Sequence, residues 1–193
     1  MPHIHSVAVF CGASLGASPA FRTAAEALGR GIARARWRLV YGGGQMGLMG
    51  VMANAALAEG GAVVGVIPDF LQRQEVVHGE VSELVVTASM HSRKRGIFDR
   101  ADAFVSLPGG LGTLDETIEI ITWRQLRLHD KPILLCNVMG SAGPLVAAVE
   151  QAVAQGFARP AVRDLFEVHE GVAAVLARLA ALHAPAAGTS ERL

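Results

Sequence analysis

The chain has 193 residues, 51% of them hydrophobic, and its 17 basic and 17 acidic residues cancel. That length suits one domain able to bury a sizeable core. The charge balance excludes a basic surface for nucleic acid and an acidic tail for a basic partner, so a small metabolite is the expected partner.

From Met1 to Ala17 an apolar run has no Lys or Arg before it and is soon followed by Pro19, which reads as a strand and not a signal peptide. No run reaches the roughly 18 uninterrupted apolar residues of a membrane-spanning helix. A soluble, cytoplasmic protein with no membrane partner is the expectation.

Strands are expected at Ser6 to Gly12, Arg38 to Tyr41, Ala62 to Ile67, Glu83 to Thr87, Ala103 to Leu107 and Ile133 to Val138, with a seventh near Leu165 to His169. Helices are expected at Pro19 to Arg36, Met46 to Glu59, Met90 to Arg100, Thr113 to Arg127, Pro144 to Gln155 and Gly171 to Leu182. Short apolar runs alternating with helical periods predict an α/β fold: a Rossmann-like, doubly wound parallel sheet of six or seven strands with helices on both faces. Residues 1–182 read as a single domain and 183–193 as a frayed tail. Pro68 to Glu80 is the longest irregular stretch, placed where such loops border a ligand crevice.

Two cysteines, Cys11 and Cys136, sit at the ends of apolar runs and read as buried free thiols. Neither has a second cysteine or a close histidine at ligand spacing, so no metal is expected. The helix Thr113 to Arg127 carries Leu114, Ile118, Ile120, Ile121, Trp123 and Leu126 around most of its circumference. One face packed on a sheet does not use all of them, and a homodimer interface is the simplest second contact.

Two glycine loops follow strands. Gly42-Gly43-Gly44-Gln45-Met46-Gly47 spells a dinucleotide fingerprint with Asp69 one strand later, yet it sits in the second βα unit where the fingerprint usually occupies the first. The first unit offers Cys11-Gly12-Ala13-Ser14, a small polar turn. The other loop, Pro108-Gly109-Gly110-Leu111-Gly112-Thr113-Leu114-Asp115-Glu116, removes Cβ atoms where a ligand oxygen would approach, and the helix after it supplies free N–H donors and a positive dipole end. Phosphate is its natural guest. Thr113 and Glu116 also spell a capping box, which needs no ligand. A cation cluster, Met90-His91-Ser92-Arg93-Lys94-Arg95, opens the preceding helix; His91 lacks companions at metal spacing and reads as a packing or hydrogen-bonding residue.

On these residues the chain resembles the LONELY GUY family, the cytokinin-activating nucleotide phosphoribohydrolases, many of whose members have carried a lysine decarboxylase-like label. The signature P-G-G-x-G-T-x-x-E is matched by Pro108 to Glu116, and M-H-x-R-K by Met90 to Lys94. Phe10 to Ser14, Tyr41 to Gly50, Gly65 to Pro68, Ile121-Thr122-Trp123 and His129 to Pro132 extend the likeness along nearly the whole chain. The resemblance implies a Rossmann-like homodimer that hydrolyses the N-glycosidic bond of adenosine 5′-monophosphate derivatives, isopentenyladenine types above all, to free base and ribose 5-phosphate, without a cofactor.

By the same resemblance Arg93 and Glu116 are the catalytic pair. Glu75, Lys94, Gly109, Gly110, Leu111, Gly112, Thr113, Leu114, Asp115 and Thr122 are implied to contact the substrate, with Ser14 and Gly43 of the other two turns beside them. The chemistry suits these types: cleaving C1′–N9 builds positive charge on the ribose, which a carboxylate stabilises or meets with an activated water. The fork of Arg93 suits either the phosphate or the departing base. Three positions depart from the usual pattern: Asp115 for a second glutamate, Ala13 for serine and Leu111 for tyrosine. A nucleotide-binding carrier without catalysis is the alternative, since fold alone does not fix function. A dehydrogenase rests only on Gly42 to Gly47, and a pyridoxal-dependent decarboxylase would have only Lys94 and Lys131 to offer.

Overall fold

A computed structural model describes residues 4–72 and 77–182. Its strands are β1 (Ser6–Phe10), β2 (Arg38–Tyr41), β3 (Val63–Pro68), β4 (Glu83–Thr87), β5 (Ala103–Ser106), β6 (Ile133–Asn137) and β7 (Glu167–Glu170). All seven form one parallel sheet in the order β4-β3-β2-β1-β5-β6-β7. The central strands are mostly apolar because both faces are covered, with polar residues only at their ends, such as Arg38 and Ser106; all five residues of β1 are buried.

The helices are α1 (Pro19–Arg34), α2 (Gly47–Ala58), the short α3 (Asp69–Gln72), α4 (Met90–Arg100), α5 (Leu111–Gln125), α6 (Gly143–Ala154) and α7 (Gly171–Ala181). Side chains of α1, α2 and α7 meet one face of the sheet around Leu28, Ile32, Met52, Val175 and Leu179. Those of α4, α5 and α6 meet the other around Phe98, Ile120, Ile121 and Leu145. The expected doubly wound architecture is therefore present, with the seventh strand included.

Strand order reverses between β1 and β5, and the loops leaving those two strands must part there, opening a crevice above their carboxyl ends. The chain reaches β5 only after passing to the sheet edge at β4 and returning through α4, which packs beneath β3, β2 and β1. That return carries the start of α4, with its cations, to the carboxyl ends of β2 and β3.

Several boundaries differ from expectation. Residues 160–165 form a 3-10 turn, so β7 begins at Glu167 and not at Leu165. The stretch read as irregular, Pro68 to Glu80, contains α3. The largest correction concerns α5: it starts at Leu111 with Gly110 as its N-cap and no side-chain cap bond. Thr113 and Glu116 are thus its third and sixth residues, no capping box forms, and Glu116 is not in the first turn where the helix dipole would favour it.

Candidate active site

The turn Pro108–Gly110 is drawn tight against the loop after β1: Gly12 N donates to the Pro108 carbonyl at 3.0 Å, and a Cβ on Gly109 would collide with the Thr113 side chain and stand 2.8 Å from Gly12 N. Gly109 is therefore demanded by the chain's own packing. Gly110 and Gly112 are different, because a Cβ on either would meet nothing within 4 Å. They face open space at a helix start whose first N–H groups have no side-chain cap. Thr117 anchors the turn from within, donating to the Thr113 carbonyl at 2.6 Å and sharing a 2.8 Å bond with the Ser106 hydroxyl.

This open space belongs to a cleft of about 670 Å³ between the loops leaving β1, β5 and β6. That is large enough for a nucleotide-sized ligand. Its only charged lining residues, among those described, are Arg93 and Glu116. They form an ion pair, Arg93 Nη1 to Glu116 Oε1 at 3.1 Å, with side chains only 12% and 11% exposed. Arg93 Nε also donates to the Val66 carbonyl at 3.2 Å.

Burial pushes the Glu116 carboxyl above the ordinary carboxylate range. Arg93 and Lys94 pull it down while Asp115 and Glu119 push it up, and burial decides the direction. Cys11, at the cleft floor, has its thiol raised by burial and by Glu116, and so is held as an unreactive thiol. Cys136, also in the lining, is pushed up to about 11 by burial first and Glu170 second.

The cleft brings together Ser14, Arg93, Gly109, Gly110, Leu111, Gly112, Thr113, Leu114 and Glu116 from the expected residues. Lys94 and Asp115 lie outside its lining and pair with each other at 2.8 Å, with Glu119 on Lys94 at 3.2 Å. The shorter Asp115 still spans that gap. Gly43 packs against Ile67, and Thr122 donates back to the Ile118 carbonyl at 2.8 Å; neither lines the cleft. Glu75 lies outside the described residues.

His91 is exposed, and Arg95 pairs with Asp99 at 2.8 Å, so the cation cluster serves several partners and not one solvated face. No group of three or more His, Cys, Asp and Glu among the described residues is placed to hold a metal. No helix among them is long and apolar enough to cross a membrane.

Sequence reasoning missed Ser106, Phe21, Ser141 and Leu145 in the lining. Ser106 carried a signal, standing at the carboxyl end of a central strand. The other three come from helices and a loop whose approach only the folded chain reveals.

The chain matches the family model described as possible lysine decarboxylase over residues 49–179. It is 45% identical over 179 residues, 92% of this chain and 90% of the other, to a cytokinin riboside 5′-monophosphate phosphoribohydrolase of Rhodococcoides fascians. A protein of the same name from Arabidopsis thaliana is 43% identical over 159 residues, 82% of this chain and 75% of the other. Among solved structures, the molybdenum cofactor binding protein of Rippkaea orientalis superposes with a TM-score of 0.69 at 21% identity, covering 93% of this chain and 96% of that one. The molybdenum cofactor carrier protein of Chlamydomonas reinhardtii gives 0.66 at 20%, covering 94% and 100%. At such identities the likeness to these two is one of fold.

Proposed function

The chain belongs to the possible lysine decarboxylase family that includes the cytokinin riboside 5′-monophosphate phosphoribohydrolases, and from that membership we propose that it hydrolyses the N-glycosidic bond of N6-modified adenosine 5′-monophosphates. The observation that carries the reading is the buried Arg93–Glu116 pair, set in one cleft with a glycine turn that leaves room for a phosphate.

In this reading the free N–H groups at the start of α5 hold the 5′-phosphate. Glu116 faces the sugar. As the C1′–N9 bond breaks, its electron pair leaves with the base and positive charge grows on the ribose, opposite the carboxylate. Glu116 takes a proton from the water that attacks C1′, and that proton is passed on to the departing base, which leaves neutral and restores the carboxylate, while Arg93 donates hydrogen bonds to the base or the phosphate. Products are free base and ribose 5-phosphate in equal amounts, with no redox step and no cofactor. Free thiols and a phosphorylated substrate suit a cytoplasmic enzyme.

An endpoint assay against a panel of nucleoside monophosphates tests this. Isopentenyladenosine monophosphate should yield base and ribose 5-phosphate one to one, while the dephosphorylated nucleoside should not turn over. Tight nucleotide binding without base release would instead make the protein a carrier.

A homodimer is part of the same proposal. Leu114 and Ile118 on α5 are 40% and 49% exposed, and Leu126, just past its end, is 63% exposed, while Ile120 and Ile121 of the same helix are buried against the sheet. A charge among those exposed side chains should break the assembly. Ile118→Glu is expected to halve the mass seen by light scattering at micromolar concentration; a wild-type protein already at the mass of one chain would end the proposal.

A further inference from the structure

The glycine run after β2 lies outside the cleft, and its members meet different neighbours. Gly43 packs on β3, Gly44 bridges to Val77, and Gly47 fits against the Ala13 backbone. Gly42 is set apart by what fills its missing side chain. A Cβ built there would collide with Nη2 of Arg93, and would stand 3.3 Å from its Cζ and 3.4 Å from the Met49 sulfur. Gly42 has no left-handed φ. What glycine supplies at this position is space, and the guanidinium occupies it.

Three nitrogens of Arg93 thus address three different elements. Nε donates to Val66 on β3, Nη1 meets Glu116 on α5, and Nη2 lies over Gly42 at the end of β2. The planar fork makes these fixed directions: moving one nitrogen moves all three.

We propose that Gly42 is a positioning residue for glycosidic-bond cleavage, its absent side chain forming the seat that aims the Arg93 guanidinium at Glu116. The proposal rests on the role given to Arg93 above. Alanine at position 42 keeps an unstrained backbone, and the atom it displaces is the tip of a long side chain able to swing aside. The consequence therefore falls first on the aim of Arg93, with any loss of stability limited to what its own bonds to Val66 and Glu116 supply. A misplacement of about 1 Å at a reacting centre costs up to roughly a hundredfold in rate.

The test compares Gly42→Ala, Arg93→Ala and the double variant for kcat and KM on isopentenyladenosine monophosphate, for thermal midpoint, and for the Arg93 Nε–H resonance, assigned by its loss in Arg93→Ala. Gly42→Ala should lower kcat by roughly ten- to a hundredfold with KM nearly unchanged, a midpoint lowered no further than that of Arg93→Ala and a shifted Nε–H resonance. The double variant should be no worse than Arg93→Ala alone, since the seat matters only when occupied. A wild-type kcat with an unmoved resonance, or a loss that persists in the Arg93→Ala background, overturns the proposal. Wild-type turnover by Arg93→Ala would instead remove the role of Arg93 and, with it, that of Gly42.

Discussion

Replacing Glu116 with Gln is expected to abolish release of base from isopentenyladenosine monophosphate, a loss on the order of a thousandfold or more, as when a general base and charge stabiliser is removed together. Gln keeps the size of the side chain and its bond to Arg93 while removing the charge, so the fold should survive. The charge being removed is one that burial already disfavours. The same burial predicts the pH dependence. A carboxyl raised above its usual value becomes protonated at a higher pH than an ordinary glutamate, which titrates near 4.3. Turnover that needs the carboxylate should therefore decline as pH falls through that raised value, and hold above it. The groups facing Glu116 are Arg93 and Lys94 from α4, Asp115 and Glu119 from its own helix, and Cys11 from the end of β1. Residual activity of Glu116→Gln should lack this limb. Retained turnover in that variant sinks the assignment of Glu116.

Much of the fold was legible because its signals are local. Apolar runs such as Val7 to Phe10 and Ile133 to Leu135 mark buried parallel strands without knowledge of their neighbours, and Pro19 and Pro144 mark helix starts. The start of α5 was misread for an instructive reason. Thr113 and Glu116 satisfy the spelling of a capping box, but Leu111 and Gly112 can also enter the helix, and the contact of Gly109 with Gly12 places the turn two residues earlier. That contact joins residues almost a hundred positions apart, beyond the reach of any local pattern. Separation along the sequence also explains why the glycines after β2 read as a dinucleotide fingerprint. Their spelling is local, whereas the Arg93 tip that fills the space at Gly42 arrives through the crossover of α4. For Lys94, sequence separation again concealed the partners, Asp115 and Glu119, that hold it outside the cleft.

Gly112→Ala should separate stability from ligand binding by moving them in opposite directions. Gly112 is the second residue of α5, and glycine in a helix is less favourable than alanine by up to about 1 kcal/mol. Nothing within 4 Å of an added Cβ opposes the change, so the variant's thermal midpoint should rise, or at worst stay level. The methyl group would stand in the cleft beside the free N–H groups at the helix start, in the space proposed for the phosphate. Pushing an anion away from several charge-assisted hydrogen bonds, each worth about 1.5–3 kcal/mol, should raise KM on the order of a hundredfold. Gly109→Ala is the contrasting case, because its Cβ meets Thr113 and the Gly12 backbone, so it should lose stability and activity together. If a glycine at position 112 served only the helix turn, alanine would stabilise the protein and leave KM untouched. The divergence of the two measurements, read by calorimetry and by saturation kinetics, is what marks the site as built for a ligand.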